Sequence, residues 1–185
     1  MKRKGEVQQV FIYLMVIIVV GAVFLLGYSM ITKIMEKQCD VERVTFVKEL
    51  ESNLEKYSSR GYSNTVEIKA PCDYELLCFV KSKVEYANPD DIDSIPFSVI
   101  KQLVKLGDSQ NVFLIKDGYV EPLLASDVVS VSSIDNSGLL CFKPRFNKFS
   151  IKMLGAKGGL VEISAGGQES VMSTSEIKHK FQKLN

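Results

Sequence analysis

The sequence predicts an α+β protein, in which a long N-terminal transmembrane helix precedes an antiparallel, hairpin-rich β-sheet domain with one short helix. Three observations predict this class. Residues 10–31 carry no charged side chain, apolar residues then keep helical spacing as far as Tyr57, and the rest of the chain alternates short β-like runs with turn residues. A chain of 185 residues has room for one domain of ordinary size besides an anchor.

The overall charge is nearly balanced, which argues against nucleic acid as a partner. The chain contains 23 lysine and arginine residues and 22 acidic residues. A protein that binds a polyanion normally presents a marked excess of positive charge. We therefore expect no nucleic-acid partner.

The first element is the apolar segment 10–31, which has 22 residues. At the rise of an α-helix it covers about 33 Å, while the hydrocarbon core of a bilayer is about 30 Å thick. A buried core helix would show a polar stripe, and a cleaved secretory signal would have a shorter apolar region of about 7 to 15 residues. The segment therefore predicts a transmembrane helix whose partner is the lipid bilayer.

The basic residues around this segment predict its orientation. Lys2, Arg3 and Lys4 are concentrated on the short tail 1–9, whereas the basic residues that follow the span are interleaved with acidic ones. Because basic flanks stay on the cytoplasmic side, we expect a single-pass protein of the cell membrane with a cytoplasmic N-terminus and an extracytoplasmic C-terminal domain.

The helix is predicted to continue beyond the membrane as a stalk over residues 32–61. No Gly or Pro occurs from Thr32 to Tyr57, and Phe46, Leu50 and Leu54 are spaced to share one helix face. The stretch 58–61 then provides a stop, since its Gly61 suits the left-handed conformation that closes helices. The domain itself is predicted to cover residues 62–167.

Short apolar runs separated by turn residues predict the strands of this domain. The runs are 65–70, 75–81, 111–116, 128–132, 139–143, 149–154 and 160–164, and the turns are 71–73, 116–118, 135–138 and 157–159. One helix is predicted over 96–106, with Pro96 in its first turn and Gly107 at its end. Residues 168–185 are predicted to be a tail or a short helix, because residues 173–176 fit a capping box.

The four cysteines are Cys39, Cys72, Cys78 and Cys141, and their wide spacing does not fit a structural zinc site. An even number in an exported domain favours two disulfides, for which three connectivities exist. The sequence Leu-Leu-Cys-Phe occurs at 76–79 and again at 139–142, which favours pairing of Cys78 with Cys141 in neighbouring strands and leaves Cys39 for Cys72. The alternative is four reduced, buried cysteines in a cytoplasmic domain.

No catalytic, metal or cofactor site can be assigned from the residue pattern. His179 is the sole histidine and lies in the C-terminal tail. Asp90, Asp91 and Asp93 lack the spacing of a calcium loop and are interpreted as a solvated helix start. The glycine-rich run 155–159 lacks the Lys-Ser/Thr ending of a phosphate loop and is interpreted as a hairpin turn. We therefore expect no enzyme activity and no cofactor.

The N-terminal sequence resembles type IV pilin precursors, especially archaeal ones. The resemblance covers about 30 residues and consists of Lys4-Gly5, the polar stretch 6–9 and the apolar run. It implies that a prepilin-type peptidase cuts between Gly5 and Glu6 and leaves the helix intact. One departure is that the glutamate that bacterial pilins place fifth in the mature chain corresponds here to Val10. The pattern of 71–80, 111–115 and 138–142 also resembles uncharacterised archaeal membrane proteins.

Two classes of function are consistent with these features. The first is a structural or adhesive protein of the cell envelope, type IV pilin-like, whose partners are like subunits or other membrane helices. The second is a membrane-anchored binding or accessory module that does not polymerise. An anchored enzyme is disfavoured, because no nucleophile with a neighbouring base can be named.

Overall fold

The computed structural model describes residues 4–59, 61–81, 89–132, 138–164 and 171–181. Lys2, Arg3, Arg60 and most of the predicted turn 135–138 lie outside the described residues. The chain divides into two units, Met1–Glu42 and Arg43–Asn185, which are described separately below. The elements are α1 (Lys4–Tyr57), β1 (Ser63–Lys69), β2 (Leu76–Val80), α2 (Pro89–Asp93), α3 (Ser98–Leu106), β3 (Gln110–Lys116), β4 (Tyr119–Ala125), β5 (Val129–Val131), β6 (Leu139–Phe142), β7 (Lys148–Gly155), β8 (Val161–Ser164), β9 (Val171–Met172) and α4 (Thr174–Phe181).

The N-terminal unit contains residues 4–42 of helix α1, which include the apolar segment. Its Ile12–Ile31 stretch has a mean hydropathy of 2.6, and none of it is buried within the protein. By length and composition, it is the one helix among the described residues that could cross a membrane. This apolar surface indicates either a membrane anchor or a signal sequence.

The C-terminal unit begins with the last four turns of α1, residues 43–57. Phe46, Leu50, Leu54 and Tyr57 recur at helical spacing, and all four are buried. This part of the predicted stalk therefore belongs to the core, and the unit begins 19 residues before the boundary predicted at residue 62. The helix ends at Tyr57, and Gly61 adopts the left-handed conformation with φ 87° in the turn that follows.

Five strands form the larger sheet, in the order β4-β3-β2-β6-β9, and all neighbours are antiparallel. The central strands β2 and β6 are buried at every position, and β3 is buried at all but its two ends. Burial on both faces explains why these runs are continuously apolar rather than alternating. The larger sheet therefore forms the middle of the unit.

Four strands form the smaller sheet, in the order β1-β7-β8-β5. Strand β7 pairs antiparallel with β1 and with β8, whereas β5 pairs with β8 in parallel. Along β7 the buried residues alternate with more exposed ones, as expected for a sheet with one face in solvent. The sequence predicted one antiparallel sheet, and the division into two sheets with one parallel pair is a correction to that prediction.

Two hydrophobic clusters lie on the two faces of the larger sheet. The first combines one of these faces with the smaller sheet and with the buried stripe of α1. The second combines the opposite face with α2, α3 and α4, which contribute Ile92, Ile100, Val104 and Ile177 among others. This layering confirms the α+β class, with several short helices where the sequence predicted one in the domain and a tail or short helix after it.

Some element boundaries differ from the predicted ones. Helix α3 begins at Ser98 rather than at Pro96, because Phe97 is still extended with ψ 115°. Gly107 closes the helix as predicted, with φ 76°. Strands β4 and β9 and helix α2 were not predicted. Strand β4 contains Pro122, which an edge strand tolerates because one side of its backbone needs no partner.

Candidate functional site

The Cys78–Cys141 disulfide lies within the larger sheet. The two residues are direct partners in the antiparallel pairing of β2 with β6, and their Cα atoms are 4.1 Å apart. Facing residues of antiparallel strands are within reach of a disulfide. The structure thus bonds the two cysteines that the repeated Leu-Leu-Cys-Phe sequence singled out, and both are fully buried.

Cys39 and Cys72 are also disulfide-bonded, so none of the four cysteines is free. Cys72 occupies the turn 71–74 with a positive φ of 43°. The alternative with four reduced cysteines does not apply to this structure. Oxidised cysteines supply neither a thiolate nucleophile nor a metal ligand.

Gly5 and Glu6, the predicted processing site, lie at the beginning of α1. The backbone is helical from Lys4 onward. Cleavage between these two residues stays a prediction, because it depends on an enzyme that acts on the chain.

Within the predicted acidic cluster, the Asp93 side chain is held by two lysines of α3. The Asp93 carboxylate accepts a hydrogen bond from the Lys105 amine at 2.6 Å, and the Lys101 amine lies 3.9 Å away. The hydrogen bond from Lys105, assisted by both positive charges, lowers the pKa of Asp93. Among the described residues, no three His, Cys, Asp or Glu side chains converge as they would around a metal ion.

The predicted capping box is present at the start of α4. The Ser173 backbone N–H donates to the Glu176 carboxylate at 2.9 Å, and the Glu176 N–H faces the Ser173 hydroxyl at 3.4 Å. The hydrogen bonds that the Ser173 backbone N–H and the Ser173 hydroxyl donate to the carboxylate lower the pKa of Glu176. The same helix carries His179, whose side chain is exposed. The run 155–159 forms the hairpin between β7 and β8, as predicted.

A polar cluster joins α1 to the edge strand β4 within the C-terminal unit. The Arg43 guanidinium forms an ion pair with Glu121 and donates a hydrogen bond to the Pro122 carbonyl oxygen at 3.3 Å. The Tyr74 hydroxyl donates to the same Glu121 carboxylate. Both charged side chains are about one-third exposed, so their ion pair stabilises the domain only modestly. We infer that the cluster holds the start of the unit's α1 segment against β4.

An open groove of about 620 Å³ lies between the start of α3, the β3–β4 turn and α4. Phe97 and Phe181 pack edge to face in its wall, with ring centroids 5.5 Å apart. Tyr119 extends from the turn and is 81% exposed. Lys101 and Lys178 also line the groove. The lining of this groove therefore combines aromatic and charged side chains.

A second exposed feature is the tight turn 145–148 that leads into β7. Arg145 and Lys148 exchange both backbone hydrogen bonds, at 2.8 and 3.0 Å, and Phe146 and Asn147 between them have φ values of 49° and 60°. Phe146 is 90% exposed. A bulky residue in the left-handed region costs about 1–2 kcal/mol, so glycine or asparagine would be the relaxed choice. Sequence reasoning missed this turn because it lacks the usual Asn-Gly or Asp-Gly pair.

Comparisons with known proteins identify no relative. No protein-family model matches the chain, and no curated protein and no solved structure matches it.

Proposed function

We propose that this chain is a membrane-anchored extracytoplasmic protein of the cell envelope, with a structural or adhesive role and a type IV pilin-like layout. The observation that carries the proposal is the composition of α1. Its Ile12–Ile31 segment is apolar on all sides, as lipid requires, while residues 43–57 present a single apolar stripe to the core of a domain. One helix thus provides both the anchor and part of the displayed domain.

The cysteines support the outer side of the membrane as the location of the domain. Four oxidised cysteines suit a compartment in which disulfides persist, whereas cytosolic reductants keep most thiols reduced. The concentration of basic residues at the N-terminus favours the same orientation. Because every cysteine is in a disulfide, none is available as a thiolate nucleophile.

Protease treatment of intact cells or spheroplasts tests the anchor and its orientation. We expect external protease to digest the C-terminal unit while a cytoplasmic marker protein stays intact. Alkaline carbonate should leave the full chain in the membrane pellet. Release into the supernatant would exclude the anchor. Protection of the domain until lysis would show that the domain lies on the cytoplasmic side.

A second candidate is a non-polymerising binding or accessory module, which the groove between α3 and α4 favours. A subunit of a filament and an accessory protein differ in where they fractionate. Filaments sheared from cells contain a structural subunit at high copy number, whereas an accessory protein stays with the membranes. Absence of the chain from sheared material would therefore favour the second candidate.

A further inference from the structure

The turn 145–148 combines an exposed aromatic side chain with a local excess of positive charge. Residues 143–148 contain Lys143, Arg145 and Lys148 and no acidic residue. The Arg145 guanidinium lies 5.6 Å from the centre of the Phe146 ring, and the Lys148 amine lies 3.1 Å from the Glu67 carboxylate. An aromatic ring among cationic side chains is typical of surfaces that meet lipid headgroups.

Contacts within the C-terminal unit show at which end this turn lies. Phe46, near the beginning of the unit, packs against Phe149 at the start of β7, with ring centroids 5.8 Å apart. Gly155, at the other end of β7, lies against the backbone of Tyr57 and Ser59. The turn 145–148 therefore lies at the end of the unit where the unit's own part of α1 begins.

The exposed aromatic ring of Tyr119 lies at this same end. Tyr119 is two residues before Glu121 on β4, and Glu121 is bound by Arg43, the first residue of the unit. The rings of Tyr119 and Phe146 are the most exposed aromatic rings among the described residues of the unit. Aromatic residues of this kind are enriched where proteins meet the bilayer interface.

We propose that Phe146 inserts into the headgroup layer of the membrane that anchors the chain, and that Lys143 and Arg145 bind its anionic phospholipids, while Lys148 stays paired with Glu67. This proposal rests on the proposed anchoring function. Arg43 follows Ile31 by twelve residues, and twelve residues span at most about 40 Å by any path. The strained backbone at Phe146 is consistent with a side chain retained for binding, since glycine or asparagine would fold more easily there.

A single tryptophan reports insertion directly, because the chain contains none. The full-length Phe146→Trp variant would be reconstituted into phosphatidylcholine vesicles with or without an equal share of phosphatidylglycerol. Lipids brominated on the acyl chain near the headgroup serve as quenchers. Leu106→Trp is the matched control, because the Leu106 side chain is 81% exposed. Leu106 lies before the start of β3, whereas Tyr119 follows the end of β3, so Leu106 lies at the opposite end of this strand.

We expect brominated lipid to quench the Phe146→Trp variant roughly twofold or more beyond the Leu106→Trp control, and more strongly with phosphatidylglycerol present. Equal quenching of the two variants would overturn the proposal. Blue-shifted emission from the Phe146→Trp variant that bromine does not quench would also overturn it, because the indole would then be buried against protein. Flotation with the vesicles is recorded in every sample, so a chain that fails to float contradicts the proposed anchor instead.

Charge variants test the lipid-binding residues separately. Lys143→Gln with Arg145→Gln in the Phe146→Trp background should abolish the added quenching by phosphatidylglycerol, and high salt should have the same effect. Retention of that increase in the variant would contradict the assignment of these side chains. Phe146→Asn serves as the folding control, since asparagine suits the left-handed conformation and should keep the native circular dichroism spectrum.

Discussion

Replacement of Gly155 by alanine should severely destabilise the C-terminal unit. An added Cβ would lie 2.0 Å from the carbonyl oxygen of Ser59 and 2.7 Å from that of Tyr57. Both obstacles are backbone atoms, so no side-chain rotation can relieve the contact. The surrounding backbone is also tied, because the Gly155 N–H donates to the Tyr62 carbonyl at 2.7 Å and its own carbonyl accepts from Gly61 at 3.3 Å.

The expected cost combines two contributions. Overpacking a site of this kind costs about 1–3 kcal/mol. The two backbone hydrogen bonds, worth about 0.5–1.5 kcal/mol each, would be lost if the chain at Ser59 withdrew. Gly155→Ala should therefore lower the free energy of unfolding by about 2–6 kcal/mol, a large part of the roughly 5–15 kcal/mol typical of a domain.

Denaturant unfolding of the full chain in detergent provides the assay. Near-ultraviolet circular dichroism of the tyrosines follows the folded domain, and the midpoint shift at constant slope gives the loss of stability. Gly158→Ala is the matched control, because Gly158 lies in the adjoining turn with φ 81° and has no atom within 4 Å of an added Cβ. It should cost only about 1–2 kcal/mol of backbone strain. A loss at Gly155 no larger than at Gly158 would refute the steric reasoning.

Three further predictions concern the cysteines, the N-terminus and α4. Loss of the Cys78–Cys141 bridge by double alanine substitution should cost about 4 kcal/mol, because its sequence separation is 63 residues, and non-reducing peptide mapping should recover that linkage and no other for Cys78. N-terminal sequencing of native protein from a host with an active prepilin peptidase should begin at Glu6, and Gly5→Leu should block that processing; a chain that still begins at Met1 or Lys2 would remove the pilin-like assignment. The lowered pKa of Glu176 means that its stabilisation of α4 is present above the ordinary glutamate value of about 4.3 and is lost as the pH falls through the lowered value. The protection factors of the α4 amides, which correct for the intrinsic pH dependence of exchange, should therefore fall in acid, and Glu176→Gln should make them less dependent on pH.

The strands that the sequence predicts best are those buried on both faces. The runs that became β2, β3 and β6 are continuously apolar and bounded by turn residues, so they are recognisable without tertiary information. Strand β4 was not predicted, because Glu121 and Pro122 interrupt its apolar pattern. A strand tolerates this proline only at the edge of a sheet, where β4 lies. The parallel pairing of β5 with β8 joins residues about 30 positions apart, and no local signal encodes it.

The features of the candidate site also differ in whether the local sequence indicates them or only the tertiary structure does. The Cys78–Cys141 pairing was predictable because a repeated sequence placed each cysteine at the same point of a strand, and the register of β2 with β6 then brings them face to face. The groove was not predictable, because three segments distant in the chain build it, around Phe97, Tyr119 and Phe181. Phe146 adopts a left-handed backbone conformation that phenylalanine normally avoids, so residue propensities would not place it in this turn.

The burial of α1 decides how the domain should be defined. Each large apolar side chain that is fully buried contributes about 1.5–3 kcal/mol, so Phe46, Leu50 and Leu54 together contribute roughly 5–9 kcal/mol. That sum is comparable with the whole stability of a typical domain. A helix segment with this contribution is part of the folding unit and not a detachable stalk, although its spacing alone is equally consistent with either. The stretch 43–57 therefore has to fold with the two sheets, and the helix that carries the apolar segment cannot be separated from the domain at residue 62 without exposing the first hydrophobic cluster.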